Sequence, residues 1–212
     1  AVLDIPAGRI QFIAADRTDT CVEILPADKS KSRDIKAAEQ TTVAYADGVL
    51  RIEAAAAKNR ILGNSGSVEV TVQLPAGSHI EAKTAAAELR GVGRLGNVTF
   101  EGAQGPVKLD ETASAHLTLQ AGDILIGRLT GPAQISTQKG DLNITEATSG
   151  TVELRTESGD ITIGAARGTS AALDAGTAYG RIHNTLQNAE GTDAGLNIQA
   201  TTSYGDITAR SL

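Results

Sequence analysis

The chain has 212 residues, a net charge of −6 and 41% hydrophobic residues, which is enough apolar content for a packed core and argues against wholesale disorder. Its positive residues form no block, which excludes strong attraction to a phosphate backbone. Five aromatic residues (Phe12, Tyr45, Phe100, Tyr179, Tyr204) and no Trp leave little to stack on bases or sugar rings.

Residues 1 to about 80 read as long alternating strands: AVLDIPAGRIQFIAA, CVEILPAD, TTVAYADGVLRIEA and SGSVEVTVQLPAGSHIEA. Alternation places every second side chain on one face, as a half-buried strand requires. Asp47-Gly48 between two such runs predicts a hairpin. DIKAAEQ (34–40) predicts a helical turn; EAAAAKN (53–59) has helical propensity but continues a strand and is too short to be assigned a helix. Cys21 is the only cysteine, so no internal disulfide exists, and it is read as a small buried apolar residue. No apolar run approaches the roughly 20 residues of a membrane span. The chain begins at Ala1 without Met, so the native N-terminus is not visible; the reading favours the cytoplasm, with export or envelope association as the alternative.

ELRGVGRLGNVTF (88–100) spells G-x-G-x-x-G with Gly91, Gly93 and Gly96. That spelling marks a dinucleotide loop only where a helix leaves the glycines to hold the pyrophosphate. Here β-branched Val98 and Thr99 follow, then Gly102, Gly105 and Pro106, which disfavour helix. These glycines are read as corners of the first turns of a coil, and the nucleotide site is rejected.

From there the chain repeats itself. QAGDILI (120–126), QKGDLNI (138–144), ESGDITI (157–163), AYGRIHN (178–184) and SYGDITA (203–209) share a glycine at 122, 140, 159, 180 and 205. The intervals are 18, 19, 21 and 25 residues, with Gly105 a further 17 upstream. Between copies lies a second alternating run: AHLTLQ, AQISTQ, TVELRT, AALDAG and LNIQAT. Two short strands and their turns leave no room for a helix, so stacked rungs about 4.7–4.9 Å apart remain. Ile124 with Ile126, Leu142 with Ile144 and Ile161 with Ile163 are predicted to point inward; Val152 with Leu154 and Leu196 with Ile198 fill the opposite wall. Gly takes positive φ without steric cost and Asp bonds nearby backbone N–H groups, so Gly-Asp reads as a corner.

The sharper reading of Asp123, Asp141, Asp160 and Asp206 is a calcium ladder. Calcium β-rolls need a Gly-Gly nonapeptide, the chain contains no Gly-Gly, and Arg181 stands at the Asp position of one rung; the ladder is rejected. His79, His116 and His183 are the only histidines, too few and too scattered for a structural zinc site. His183 is read as a surface strand residue. Asn97-Val-Thr and Asn143-Ile-Thr spell glycosylation acceptors but sit in strands. IHNTLQNAEGTDAGLNI (182–198) spaces two corners widely, so a polar loop near 184–195 protrudes, read as a solvated insertion although loops often carry function.

The GDI-x-I corners, the ending GTSAALDAGTAYGRIHNTL…IQATTSYGDITARSL and the front IPAGRIQFIAADRTDTCVEILPAD resemble the putative adhesin family, a bacterial β-strand-repeat domain of unknown function, and most closely its actinobacterial members. The resemblance implies a β-helical or β-solenoid fold and brings no established catalytic residues. The chain is therefore expected to be all-β: a parallel β-solenoid (β-helix) of short rungs over residues 81–212, with residues 1–80 an N-terminal antiparallel β cap, in one continuous unit. No catalytic, cofactor-binding or metal-binding residue is assigned, and no cofactor is expected. The function read is a non-enzymatic scaffold or adhesin-like interaction module presenting a sheet face to a protein or envelope partner. The alternative is a self-assembling, bactofilin-like polymer joined through a sheet face or an open end. A third class, a carbohydrate-active β-helix enzyme, needs a long cleft that short rungs and small loops do not build.

Overall fold

A computed structural model describes residues 1–54, 66–188 and 194–212. β1 (Val2–Ala15) is the first long strand, and it bends at Gly8. Leu3 and Ile5 are buried before the bend and Ile10 and Phe12 after it, so the inward parity changes from odd to even as the strand turns a corner. β4 (Val49–Glu53), β5 (Val68–Pro75) and β6 (Ile80–Gln104) all pair parallel to β1. Two further strands run the other way: β2 (Cys21–Pro26) is antiparallel to β5, and β3 (Thr42–Ala46) is antiparallel to β4. The β3–β4 turn is Asp47-Gly48, with φ of 51° and 77°, as a tight hairpin demands. The expected helical turn is a full helix, α1 (Ser32–Gln40), whose Ala37 and Ala38 pack against the core. Asp34 in its first turn is buried and accepts the Ser67 N–H at 3.0 Å, which satisfies a carboxylate that burial alone would penalise. The segment 53–59 falls almost entirely outside the described residues.

Cys21 is exposed, which corrects the expectation of burial. It starts an edge strand in which Val22 and Ile24 take the inward positions. Alternation therefore turns Cys21 outward, where its sulfur receives the Arg17 guanidinium at 3.2 Å. A residue-type preference lost to strand parity.

Beyond β6 the chain winds through ten strands: β7 (Val107–Ala121), β8 (Ile124–Leu129), β9 (Ala133–Lys139), β10 (Leu142–Ala147), β11 (Gly150–Ser158), β12 (Ile161–Ala165), β13 (Ala171–Tyr179), β14 (Ile182–Thr185), β15 (Leu196–Tyr204) and β16 (Ile207–Ser211). Every pairing among them is parallel. They form two walls with one apolar core between them. In the first wall Leu89, Val107, Ile124, Leu142 and Ile161 stand in register. In the second, Val98, Ala115, Ala133 and Val152 do so. All of these side chains are buried, as are the Ile and Leu pairs expected to point inward. Burying each Val, Leu or Ile contributes about 1.5–3 kcal/mol, and no rung could hold its own without neighbours. The all-β, solenoid-like fold follows.

The last two rungs depart from sequential winding. Next to Ile161 lies Ile207, and only beyond it Ile182. On the other wall Val152 pairs with Ile198, which pairs with Leu173. The C-terminal rung, 196–211, thus sits between rung 150–165 and rung 171–185. Residues 166–170 step across two rung spacings, and the chain then returns to fill the gap.

Candidate functional site

Gly105, Gly122, Gly140, Gly159, Gly205 and Gly180 form a column, in that spatial order. A β-carbon on Gly140 would overlap the Gly122 carbonyl oxygen, and one on Gly205 the Gly159 carbonyl. The φ of Gly140 is 145°, a region that side chains rarely enter. Close backbone approach and positive φ both select glycine here.

Beside the glycines, Asp141 N–H donates to Asp123 Oδ1 (2.9 Å), Asp160 N–H to Asp141 Oδ1 (2.8 Å), and Asp206 N–H to Asp160 Oδ1 (2.7 Å). The column ends at Arg181, whose N–H reaches Asp206 Oδ1 at 2.8 Å and whose guanidinium lies 3.2 Å from Asp206 Oδ2. Each carboxylate satisfies a corner N–H of the next rung, and the outermost rung has no further N–H to satisfy. Arg181 is the end of the ladder. The Asp206 carboxyl is held below its ordinary range, first by the Arg181 N–H and then by the guanidinium, with burial opposing. Asp28 goes further, to about 2, through the hydroxyl and N–H of Ser30 and then Lys31.

A third column was missed from the sequence. Inward-facing Thr156, Thr202 and Thr177 donate to the carbonyls of Gly140, Gly159 and Gly205 at 3.1, 3.0 and 3.0 Å. The signal was present as T-x-x-G at 137–140, 156–159, 177–180 and 202–205, but alternation reads Thr as neutral. A buried carbonyl without a donor would cost about 1–3 kcal/mol. These groups build corners, and their polar atoms are occupied by the backbone.

The G-x-G-x-x-G glycines lie inside β6, with strand on both sides. Gly93 has φ 79°, and a β-carbon there would overlap the Ala14 carbonyl. His79 Nδ1 accepts the Asn97 N–H at 2.9 Å, His183 is exposed on β14, and His116 lies on the outer face of the second wall. Asn97 and Asn143 are exposed strand residues. Of the loop near 184–195, Asn184 Oδ1 accepts the Leu186 N–H and Ser211 Oγ the Gln187 N–H, both at 2.9 Å; its middle is outside the described residues. Among the described residues no three His, Cys, Asp or Glu side chains gather around a common point, and no helix is long and apolar enough to cross a membrane.

The outer face of the second wall carries a depression of about 380 Å³ across four strands. Asn97 and Thr99 of β6, Ser114 and His116 of β7, Gln134 of β9, and Thr151 and Glu153 of β11 line it. Ion pairs elsewhere tie one part of β6 to another and β6 to β7: Lys83–Glu101 (3.1 Å) and Arg90–Asp110 (2.7 Å). At the far end Tyr179 and Tyr204 are exposed and stack at 4.9 Å with ring planes 4° apart.

Comparison with known proteins gives the same fold. The family model described as Toastrack DUF4097 matches residues 3–210. Five chains of solved structure match. A putative adhesin from Bacteroides fragilis is 16% identical with a TM-score of 0.60, covering 98% of this chain and 90% of its own. A putative cell adhesion protein from Clostridium sporogenes is 11% identical with a TM-score of 0.43, covering 100% of this chain and 91% of its own. No curated protein matches.

Proposed function

The chain belongs to the Toastrack DUF4097 family, and we propose that it is a non-enzymatic interaction module that presents the outer face of its second wall to a protein partner. The observation that carries this reading is the recessed strip from Asn97 to Glu153, lined by polar side chains together with Val98, Ala115, Pro132 and Ala133, on a parallel stack. Complementary docking needs a surface that holds its shape, and a wall whose neighbouring strands pair in register supplies one. The corner carboxylates of Asp123, Asp141, Asp160 and Asp206 accept backbone N–H groups, which fits a scaffold better than acid–base chemistry. The name of the Bacteroides fragilis structure, a putative adhesin, accords with this reading. An exposed lone thiol at Cys21 suits a reducing compartment, so we place the module in the cytoplasm, with envelope association through its partner as the alternative.

The test is photocrosslinking in cells from a benzophenone side chain at Gln134, with Asn143 on the first wall as the control. Discrete adducts from Gln134 and not from Asn143 are expected. Adducts of equal pattern from both, or none from Gln134, overturn the reading. A second reading, self-association end to end, is favoured by the exposure of Ile182 and Tyr179 on the outermost rung. Sedimentation over a concentration series separates the two: particles growing beyond two copies support it, and a monomer at every concentration removes it.

A further inference from the structure

We propose that the C-terminal rung, residues 196–211, is an exchangeable element, and that its slot between rungs 150–165 and 171–185 accepts the same segment of a second copy of this chain. The order of the rungs carries this. The chain forms 171–185 before it reaches 196, so both sides of the slot precede its occupant in sequence. Filling the slot means inserting one strand into each wall, parallel to a neighbour on both sides.

The contacts that seat the rung are indifferent to which chain supplies it. Ile207 stands in register between Ile161 and Ile182, and Ala200 between Leu154 and Ala175. The corner hydrogen bonds run from Asp206 N–H to Asp160 and from Arg181 N–H to Asp206. Thr202 donates to the Gly159 carbonyl and Thr177 to the Gly205 carbonyl. Each of these is reproduced when the rung comes from a second copy, so exchange costs chiefly the association entropy of two chains.

The outer rung is the part that must yield. Leu173 and Ala175 are only partly buried, and β14 is exposed along its length, so local opening is cheapest there. In the open state the two flanking rungs have the same registers to offer each other: Ile161 could meet Ile182, and the Asp160 carboxylate could take the Arg181 N–H. The slot can thus close empty or be filled, and either copy can fill it. Residues 186–195, ten in the sequence, span up to about 33 Å when extended, several rung spacings, which lets the segment reach a neighbouring slot.

Arg155 and Thr201 are register partners across the slot and both are exposed. The experiment uses full-length chains with Cys21→Ser, one carrying Arg155→Cys and the other Thr201→Cys, mixed, warmed below the melting transition and treated with a short bis-maleimide. Crosslinked heterodimer is expected on the order of tenfold above a control pair of Arg155→Cys with Lys108→Cys, because adjacent thiols react at a high effective concentration. A heterodimer yield equal to the control overturns the proposal. The double variant in one chain, crosslinked within the monomer before mixing, must then stay monomeric by light scattering. If it still dimerises, the contact lies elsewhere and exchange is refuted.

Discussion

The two ends of the stack are finished by different means. At the N-terminal end, β2 and β3 run antiparallel to their neighbours and α1 lies across β2 and β5. Reversing the strand direction changes the hydrogen-bond pattern that the next strand would meet, so the parallel series ends in the backbone itself. At the other end the backbone pattern continues unchanged through β13 and β14. There a side chain ends the corner ladder: Arg181 stands where four inner rungs carry Asp123, Asp141, Asp160 and Asp206. One end is closed by topology and the other by a single substitution, which makes the C-terminal end the more adaptable of the two.

The largest test of that contrast compares corners. Gly140→Ala forces a β-carbon onto the Gly122 carbonyl at φ 145°, with rungs packed on both sides. A loss of about 3 kcal/mol or more is expected. Gly180→Ala meets the Gly205 carbonyl in the same way, but among the described residues no strand pairs beyond its rung, which can shift outward. A loss of about 1 kcal/mol is expected there. Urea denaturation midpoints at constant m measure both. Equal losses would mean the outer rung is as firmly held as the middle.

A smaller effect concerns the carboxylate ladder. Asp141→Ala removes the acceptor of the Asp160 N–H and is expected to cost about 1 kcal/mol. Asp141→Asn keeps an amide oxygen at that place and should recover most of the loss, since the role is acceptance rather than charge. If Asn is no better than Ala, the ladder acts through its charge. The inner rungs would then differ from the outermost in electrostatics as well as in order.

What was legible in the sequence is whatever a single rung must satisfy alone. Glycine at a corner, aspartate beside it and Ile-x-Ile after it are local demands, so they repeat visibly. Stacking order is not local. Ile207 and Ile182 both fit against Ile161, and either order buries the same kinds of side chain, so periodicity counts rungs without arranging them. Arg181 reads as a degraded corner in the sequence, and its position acquires meaning only once its rung is known to be outermost. Thr156 and Thr202 were passed over because their value lies in a carbonyl of another rung. Cys21 shows the opposite case: its outward parity on β2 is readable from Val22 and Ile24, and it overrides the preference of its residue type for burial.

The smallest expected effect isolates what Arg181 does. Asp206 is held below its ordinary value chiefly by the Arg181 N–H, which any residue at 181 would supply, and then by the guanidinium. A carboxyl whose native value is depressed stabilises the fold above its unfolded value near pH 4, and that contribution is lost as pH falls through the native value. Arg181→Ala keeps the N–H and removes the guanidinium, so the Asp206 carboxyl should titrate higher, though still below its ordinary value. Melting temperatures of the two proteins should differ slightly at neutral pH and converge as pH falls below 4. The Asp206 side-chain carboxyl resonance should report the shifted titration directly. A gap that persists undiminished at low pH would assign Arg181 a packing role, and the ladder would then end in contact rather than in charge.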